Sequence, residues 1–232
     1  MQNSNDHKIT RVAVFFDGAF FLQVNSFYKH NHHVGKSFFF SGFMEYIRHK
    51  VAQLEHSKYH LCPIVEAHWF KGRYSANAFE VRYPDAQKRA EIMTSERKTE
   101  DSLVYQGVKL HYTPIHLDNE TQEPLDKPVN VSFTAEGVTL AAQDRFDVIV
   151  IVSGDGEFQH MVSKINTFGK RVMTLGFNLT FETDNGYGPK KKFIRTSQVL
   201  MERSNYSVWM DRIIEEGLDT NERLVMSLFN NM

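Results

Sequence analysis

Two short apolar runs in this chain each lead into an aspartate. RVAVFF (11–16) runs straight into Asp17, and VIVIV (148–152) is followed by Ser153-Gly154 and then Asp155. The second run is β-branched, unbroken and bounded by turn residues, the pattern of a strand buried on both faces of a parallel sheet. Such a strand has no use for a carboxylate at its end. The aspartate therefore marks either a ligand site or a helix N-terminus whose exposed amides it caps. A sheet buried on both faces needs helices on both sides, which points to an α/β fold.

The intervening segments supply those helices. Gly18 begins one, and a second follows Ser41, with Met44, Ile47, Val51 and Leu54 at helical spacing. LCPIVEAHWF and VKLHYTP read as the second and third strands, and the charged stretch 71–107 between them reads as mostly helical with a break at Pro84. LDNETQEPLDK is polar and proline-containing, so it reads as a loop or hairpin. VNVSFTAEGVTLAAQ reads as a helix with Val131, Ala135, Val138 and Ala142 along one face. The next helix covers 156–167, and RVMTLGF is expected to be the last sheet strand. Residues 178–195 have the Gly, Asn and Lys content of a long surface loop. Near the C-terminus, Leu218, Leu224, Val225 and Leu228 can cover either the domain or a partner, a homodimer being the open alternative. The expected organisation is one α/β domain over 9–177, with a loop and C-terminal extension over 178–232 packing on the same domain.

At 232 residues and 41% hydrophobic, the chain can bury a sizeable core in one domain. A formal net charge of -1 excludes nucleic-acid binding by bulk positive charge, so any polyanion needs a local patch. Lys190, Lys191 and Lys192 with Arg195 form the candidate, against the plainer reading of a solvated loop. The lone Cys62 excludes an internal disulfide and a thiolate-rich zinc site, and it fits a reducing, cytoplasmic setting. No apolar run approaches bilayer-spanning length and the polar start is no signal peptide, so no membrane association is expected. In that setting the glycosylation triplet Asn119-Glu120-Thr121 carries no weight. Gly35-Lys36-Ser37 lacks the first glycine of a phosphate-binding loop. His30, His32 and His33 have no acid or cysteine near them in sequence and read as a solvated loop. SFFFSGF (37–43) is core or a strand edge.

In open parallel sheets, ligands bind beyond the carboxyl ends of the strands, where the strand order reverses. If the two aspartate-ending strands are neighbours, Asp17 and Asp155 converge. Like charges held that close resist joint ionisation unless a cation neutralises them, and an oxygen-only set favours Mg²⁺ or Mn²⁺. Glu136, on the preceding helix, is either a third acid or part of a solvated face. Asn130 stands six residues earlier, about 120° away on a continuous helix. Both therefore face one point only if Asn130 lies at or before the helix cap, where it is either the N-cap or a polar ligand. Glu157 either complements the helix dipole or reaches the metal. Gly154 and Gly156 would let backbone and phosphate approach, and Ser153 offers a hydroxyl to a water or carboxylate.

Three motifs in order, VAVFFDGAFF, KPVNVSFTAEGVTLAA and FDVIVIVSGDGEFQHMVSKINTFGKRVMTLGF, resemble the NYN branch of the PIN-like nuclease superfamily, which includes LabA-like proteins. The resemblance implies a three-layer α/β/α domain with a mainly parallel sheet and a metal-dependent ribonuclease centre. It implies catalytic roles for Asp17, Glu136, Asp155 and Glu157, and metal ligation by Asp17, Asn130, Glu136 and Asp155. The cofactor implied is Mg²⁺ or Mn²⁺ and the substrate RNA. Beside the resemblance, Ser153, Lys190, Lys191, Lys192 and Arg195 are the candidates to hold single-stranded RNA, with Tyr187 stacking on unpaired bases. Asn130 stands where family members commonly carry Asp, and Phe20 where a polar Asn is frequent. These departures motivate an alternative: an RNA-binding or scaffold module with weakened chemistry. A phosphatase of the haloacid-dehalogenase kind is disfavoured, because no second Asp follows Asp17 two residues on.

Overall fold

Alternation along the two inner strands organises the molecule. Val12, Val14 and Phe16 with Val148, Val150 and Val152 enter one core, while Ala13, Phe15, Ile149 and Ile151 enter the other. All of these side chains are fully buried, and removing one the size of valine or phenylalanine from water stabilises the fold by about 1.5–3 kcal/mol. The computed structural model describes residues 8–117, 124–125, 127–184 and 188–229. Residues 119–121 and Tyr187 lie outside that set.

The elements run in order as β1 (Val12–Asp17), α1 (Gly18–His30), α2 (Phe40–Leu54), β2 (Ile64–Tyr74), α3 (Ala76–Arg82) and α4 (Ala86–Tyr105). Next come β3 (Lys109–Leu117), β4 (Pro124–Leu125), α5 (Lys127–Ala142), β5 (Val148–Val152), α6 (Gln159–Thr167) and β6 (Arg171–Gly176). The chain finishes with β7 (Asn178–Asp184), β8 (Pro189–Arg195), α7 (Gln198–Arg203), β9 (Tyr206–Trp209), α8 (Met210–Asp219) and α9 (Arg223–Met226). Six strands form a parallel sheet in the order β3-β2-β1-β5-β6-β9, and β4 adds antiparallel to β3 at the edge. Helices α1, α2, α8 and α9 cover one face and α5, α6 and α7 the other. This is a three-layer α/β/α architecture. No helix among the described residues is long and apolar enough to cross a membrane.

Helix α4 is the exception to the layering. Of its 20 residues only Leu103 is buried. Asp85 caps it by accepting from the amides of Gln87 and Lys88. Ion pairs Lys71–Glu96 and Arg73–Glu100 tie it to β2. Between α3, α4 and the end of β2 lies a groove of about 1120 Å³ that reaches Ala19.

Three expectations are corrected. Helix α5 buries Phe133, Gly137, Leu140 and Ala141, whereas Val131 is 68% exposed. The larger residue sets the face: the Phe133 ring packs against Phe15, Phe70 and Phe158, a gain that no valine on the other stripe can match. Residues 178–195 are not a loop but the hairpin β7–β8, in register from Asn178↔Arg195 to Asp184↔Pro189. Its polar composition reflects a ribbon with one face on the domain, through Leu179 and Ile194, and one in water. The last sheet strand is β9, only four residues long, beyond RVMTLGF. At the C-terminus, Val225 and Leu228 are fully buried in the domain's own core, with Leu218 and Leu224 packed against it.

Candidate active site

Strands β1 and β5 are neighbours, and the strand order reverses between them. Asp17 ends β1 and caps α1, its Oδ1 accepting from the Phe20 amide at 3.1 Å. Ser153, just past β5 and fully buried, donates from Oγ to Asp17 Oδ2 at 2.9 Å and accepts from the Asp155 amide at 3.2 Å. One hydroxyl thus holds both acidic segments together. Asp155 Oδ1 accepts from the Glu157 amide at 2.8 Å and so caps the turn at Gly156–Phe158. Asn130 Nδ2 donates to Asp155 Oδ2 at 2.6 Å and to Glu157 Oε2 at 3.0 Å.

The electrostatics of Asp17 are unfinished. Burial lifts its carboxyl above the ordinary range, hydrogen bonds from Phe20 and Ser153 oppose that, and the nearby Asp155 charge adds to it. Among the described residues no Lys, Arg or His forms an ion pair with it. Asp17, Asp155 and Glu157 offer carboxylate oxygens and Asn130 an amide oxygen once its side chain is turned, the donor chemistry of a hard cation, although the three carboxylates do not all lie within 4.8 Å of one another.

Glu136 does not join this group. Helix α5 begins at Lys127, so Asn130 is already inside the first turn, and six helical residues swing Glu136 about 120° away. Its Oε1 lies 3.9 Å from His68 Nδ1, and His68 Nδ1 is 2.9 Å from His111 Nε2. Neither histidine is marked by the sequence motifs, nor is Glu66, the buried acid on the other side of His68. The available signal is Glu66 and His68 two apart in the otherwise apolar run IVEAHWF, polar residues on one inward face of a strand.

Lys190, Lys191, Lys192 and Arg195 lie exposed on β8. Strand alternation divides them: Lys191 and Arg195 share a face with the half-exposed Phe193, and the Arg195 guanidinium stacks 4.3 Å over that ring. Phe193 escapes the sequence reading, because a phenylalanine after three lysines reads as core. The hairpin leads directly into the acidic loop, where the Ser197 amide donates to the Gly154 carbonyl at 2.9 Å.

Four smaller expectations change. A Cβ on Gly154 would stand 2.5 Å from the Arg195 carbonyl oxygen and 2.6 Å from the Phe20 ring, and one on Gly156 would stand 2.7 Å from Ser197 Oγ. These glycines admit the chain leaving the hairpin, not a phosphate. Ser153 is buried and cannot touch RNA; it positions Asp17 and Asp155. Phe20 serves the site through its backbone amide while its ring is buried, facing Phe177 at 6.1 Å. His32 is not merely solvated, since folding brings Glu215 of α8 to within 2.6 Å of its Nε2.

A parallel sheet covered by helices on both faces is consistent with the three-layer α/β/α fold of PIN-like proteins. The sequence model of the NYN domain matches residues 11–186, and the chain belongs to that family, within the PIN-like nuclease superfamily. Enzymes of this superfamily are hydrolases that typically use divalent metals. Among solved structures, the chain is similar to a protein of unknown function, VPA0982, from Vibrio parahaemolyticus RIMD 2210633. That match has a TM-score of 0.52 at 19% identity and covers 91% of this chain and 97% of the other. At that identity the likeness concerns the fold alone. No curated protein matches this chain.

Proposed function

We propose that this protein is a Mg²⁺- or Mn²⁺-dependent ribonuclease that hydrolyses phosphodiester bonds of single-stranded RNA at the β1–β5 switch point. The observation that carries the reading is the proximity of the Asp17 and Asp155 charges in two segments joined by Ser153, with no Lys, Arg or His among the described residues paired to Asp17. Asp17, Asp155 and Glu157 would hold the ion, with the Asn130 side chain turned to offer Oδ1. When bound, such an ion lowers the pKa of a coordinated water and stabilises charge on the leaving oxygen.

The protein's own residues do the rest. Ser153 and the Phe20 amide fix both oxygens of Asp17, so the carboxylate needs little reorganisation on binding. Glu157 is exposed at the rim, within reach of solvent and of a hydrated phosphate. Lys191 and Arg195 supply positive charge along β8, and Phe193 supplies a face on which an unpaired base can stack. The groove beside Ala19 provides room for the rest of a polymer, with Phe79, Tyr83, Arg89 and Arg97 in its wall.

The test is hydrolysis of end-labelled single-stranded RNA in Mn²⁺ by the wild type and by Asp155→Asn. The variant is expected to lose about a hundredfold or more in rate, the scale of several kcal/mol of charge stabilisation. Equal rates would remove the proposal. One observation favours the alternative, an RNA-binding module with weakened chemistry: the Asn130 amide already bridges Asp155 and Glu157, where a cation would otherwise sit. That alternative expects retained RNA binding without hydrolysis by the wild type.

A further inference from the structure

We propose that His68 Nδ1, His111 Nε2 and Glu136 Oε1 form a second metal site, one that selects a transition ion of the Zn²⁺ type and is distinct from the oxygen ligand set around Asp17 and Asp155. The three atoms lie within 4.8 Å of one another. Tetrahedral zinc with nitrogen and oxygen ligands at about 2.0–2.1 Å places neighbouring donor atoms about 3.3 Å apart. The His68–His111 and His68–Glu136 separations, 2.9 and 3.9 Å, straddle that value. Bringing the three atoms to the tetrahedral separation would seat an ion.

The surroundings of His68 are those of a prepared ligand. Its Nε2 lies 3.2 Å from Glu66 Oε2, so that nitrogen carries the proton and Nδ1 presents its lone pair toward His111 and Glu136. Glu66 is itself held ionised, by Lys109 at 2.6 Å and Arg145 at 2.7 Å. A carboxylate behind an imidazole fixes its tautomer and orientation and makes it a stronger donor. Ring contacts hold both imidazoles in place, His68 on Phe15 at 4.6 Å and His111 stacked on Phe70 at 4.4 Å.

Two nitrogens and one carboxylate oxygen suit Zn²⁺ or Co²⁺ far better than Mg²⁺. Three protein ligands also leave one tetrahedral position open, the arrangement of reactive rather than purely structural zinc. The site flanks the acids: Asp17 is in register with Phe70, and Phe70 with His111, so their backbones are two strand spacings apart, roughly 10 Å. The inference does not depend on the ribonuclease reading, because it concerns different ligands and a different class of ion.

Titrating metal-stripped full-length protein with Co²⁺ and following its visible ligand-field absorption tests the proposal without reference to activity. The wild type is expected to take up one equivalent with tetrahedral-type absorption that Zn²⁺ displaces, and Asp155→Asn is expected to behave identically. His111→Ala and Glu136→Gln should each weaken binding about tenfold or more, judged at the outer-shell scale as a minimum. Glu136 is partly exposed on its helix, so its variant tests the site even if His111→Ala fails to fold. Absence of tetrahedral absorption in the wild type would overturn the proposal. So would absorption unchanged in a folded Glu136→Gln, or loss of the signal in His32→Ala, which would assign the ion to the His32, His33 and Glu215 group instead.

Discussion

Two carboxylates on adjacent strands, Glu66 of β2 and Asp17 of β1, meet burial in opposite ways. Burial alone would raise the Glu66 carboxyl, but hydrogen bonds from Lys109 and His68 and the Lys109 charge bring it below the ordinary range, and Arg145 occupies its second oxygen. Asp17 receives hydrogen bonds from the Ser153 hydroxyl and the Phe20 and Ala19 backbone amides but no cation among the described residues, faces the like charge of Asp155, and stays above the ordinary range. Among the described residues, cations complete the charge of one acid and none pairs with the other. That difference, rather than acidity or burial alone, separates a structural carboxylate from a site.

The largest effect should come from breaking the completed acid. Glu66→Ala removes the common partner of Lys109, Arg145 and His68, and urea unfolding at neutral pH should show a loss of about 3 kcal/mol, the lower end for broken buried pairs because both cations are half exposed. The folded carboxyl value is depressed, so this stability is present above the unfolded value near ~4.3 and disappears as pH falls through the lower folded value. An unchanged free energy of unfolding would dissolve the contrast.

Asp17→Asn should act in the opposite direction, raising the melting temperature of the metal-free protein by roughly a few degrees while abolishing hydrolysis. Here the folded value is raised, so the wild-type penalty is fully present above that folded value and absent below the unfolded value near ~3.9. The gain should therefore vanish in scans run at lower pH. A variant that melts lower at neutral pH would mean that Asp17 is a structural acid like Glu66.

The smallest effect concerns the basic strand. Replacing Lys190, Lys191 and Lys192 together by Ala should weaken RNA binding evenly across sequences and flatten its salt dependence, by about 0.7 in the log–log slope for each phosphate no longer neutralised. Lys191 lies directly opposite Glu182 in the hairpin, so the change in slope should fall short of that for three phosphates. Fluorescence titrations over a range of salt would measure it.

The inner strands and the acids beyond them are legible in the chain because each rests on local pattern: unbroken apolar runs, and an aspartate at or just past the end of two of them. Asn130 and Glu136 are legible as residues, but whether they share a face turns on where the helix begins, and it begins at Lys127, before Asn130. His68 and His111 come from strands separated by 43 positions, and only the β2–β3 register brings them side by side. The hairpin is hidden by its lysines, because composition reports exposure and not hydrogen bonding. The buried stripe of α5 differs from the expected one because periodicity weights Val131 and Phe133 alike, whereas packing favours the ring.

Calorimetric titration of Mn²⁺ into the wild type, Asp17→Asn and Asp155→Asn tests most directly whether the unfinished charge is a metal site. The account predicts measurable binding to the wild type and a comparable, severe loss in both variants, since the two carboxylate charges lie close enough to act on one another. Absence of Mn²⁺ binding by the wild type, or binding to Asp17→Asn as tight as to the wild type, would contradict it.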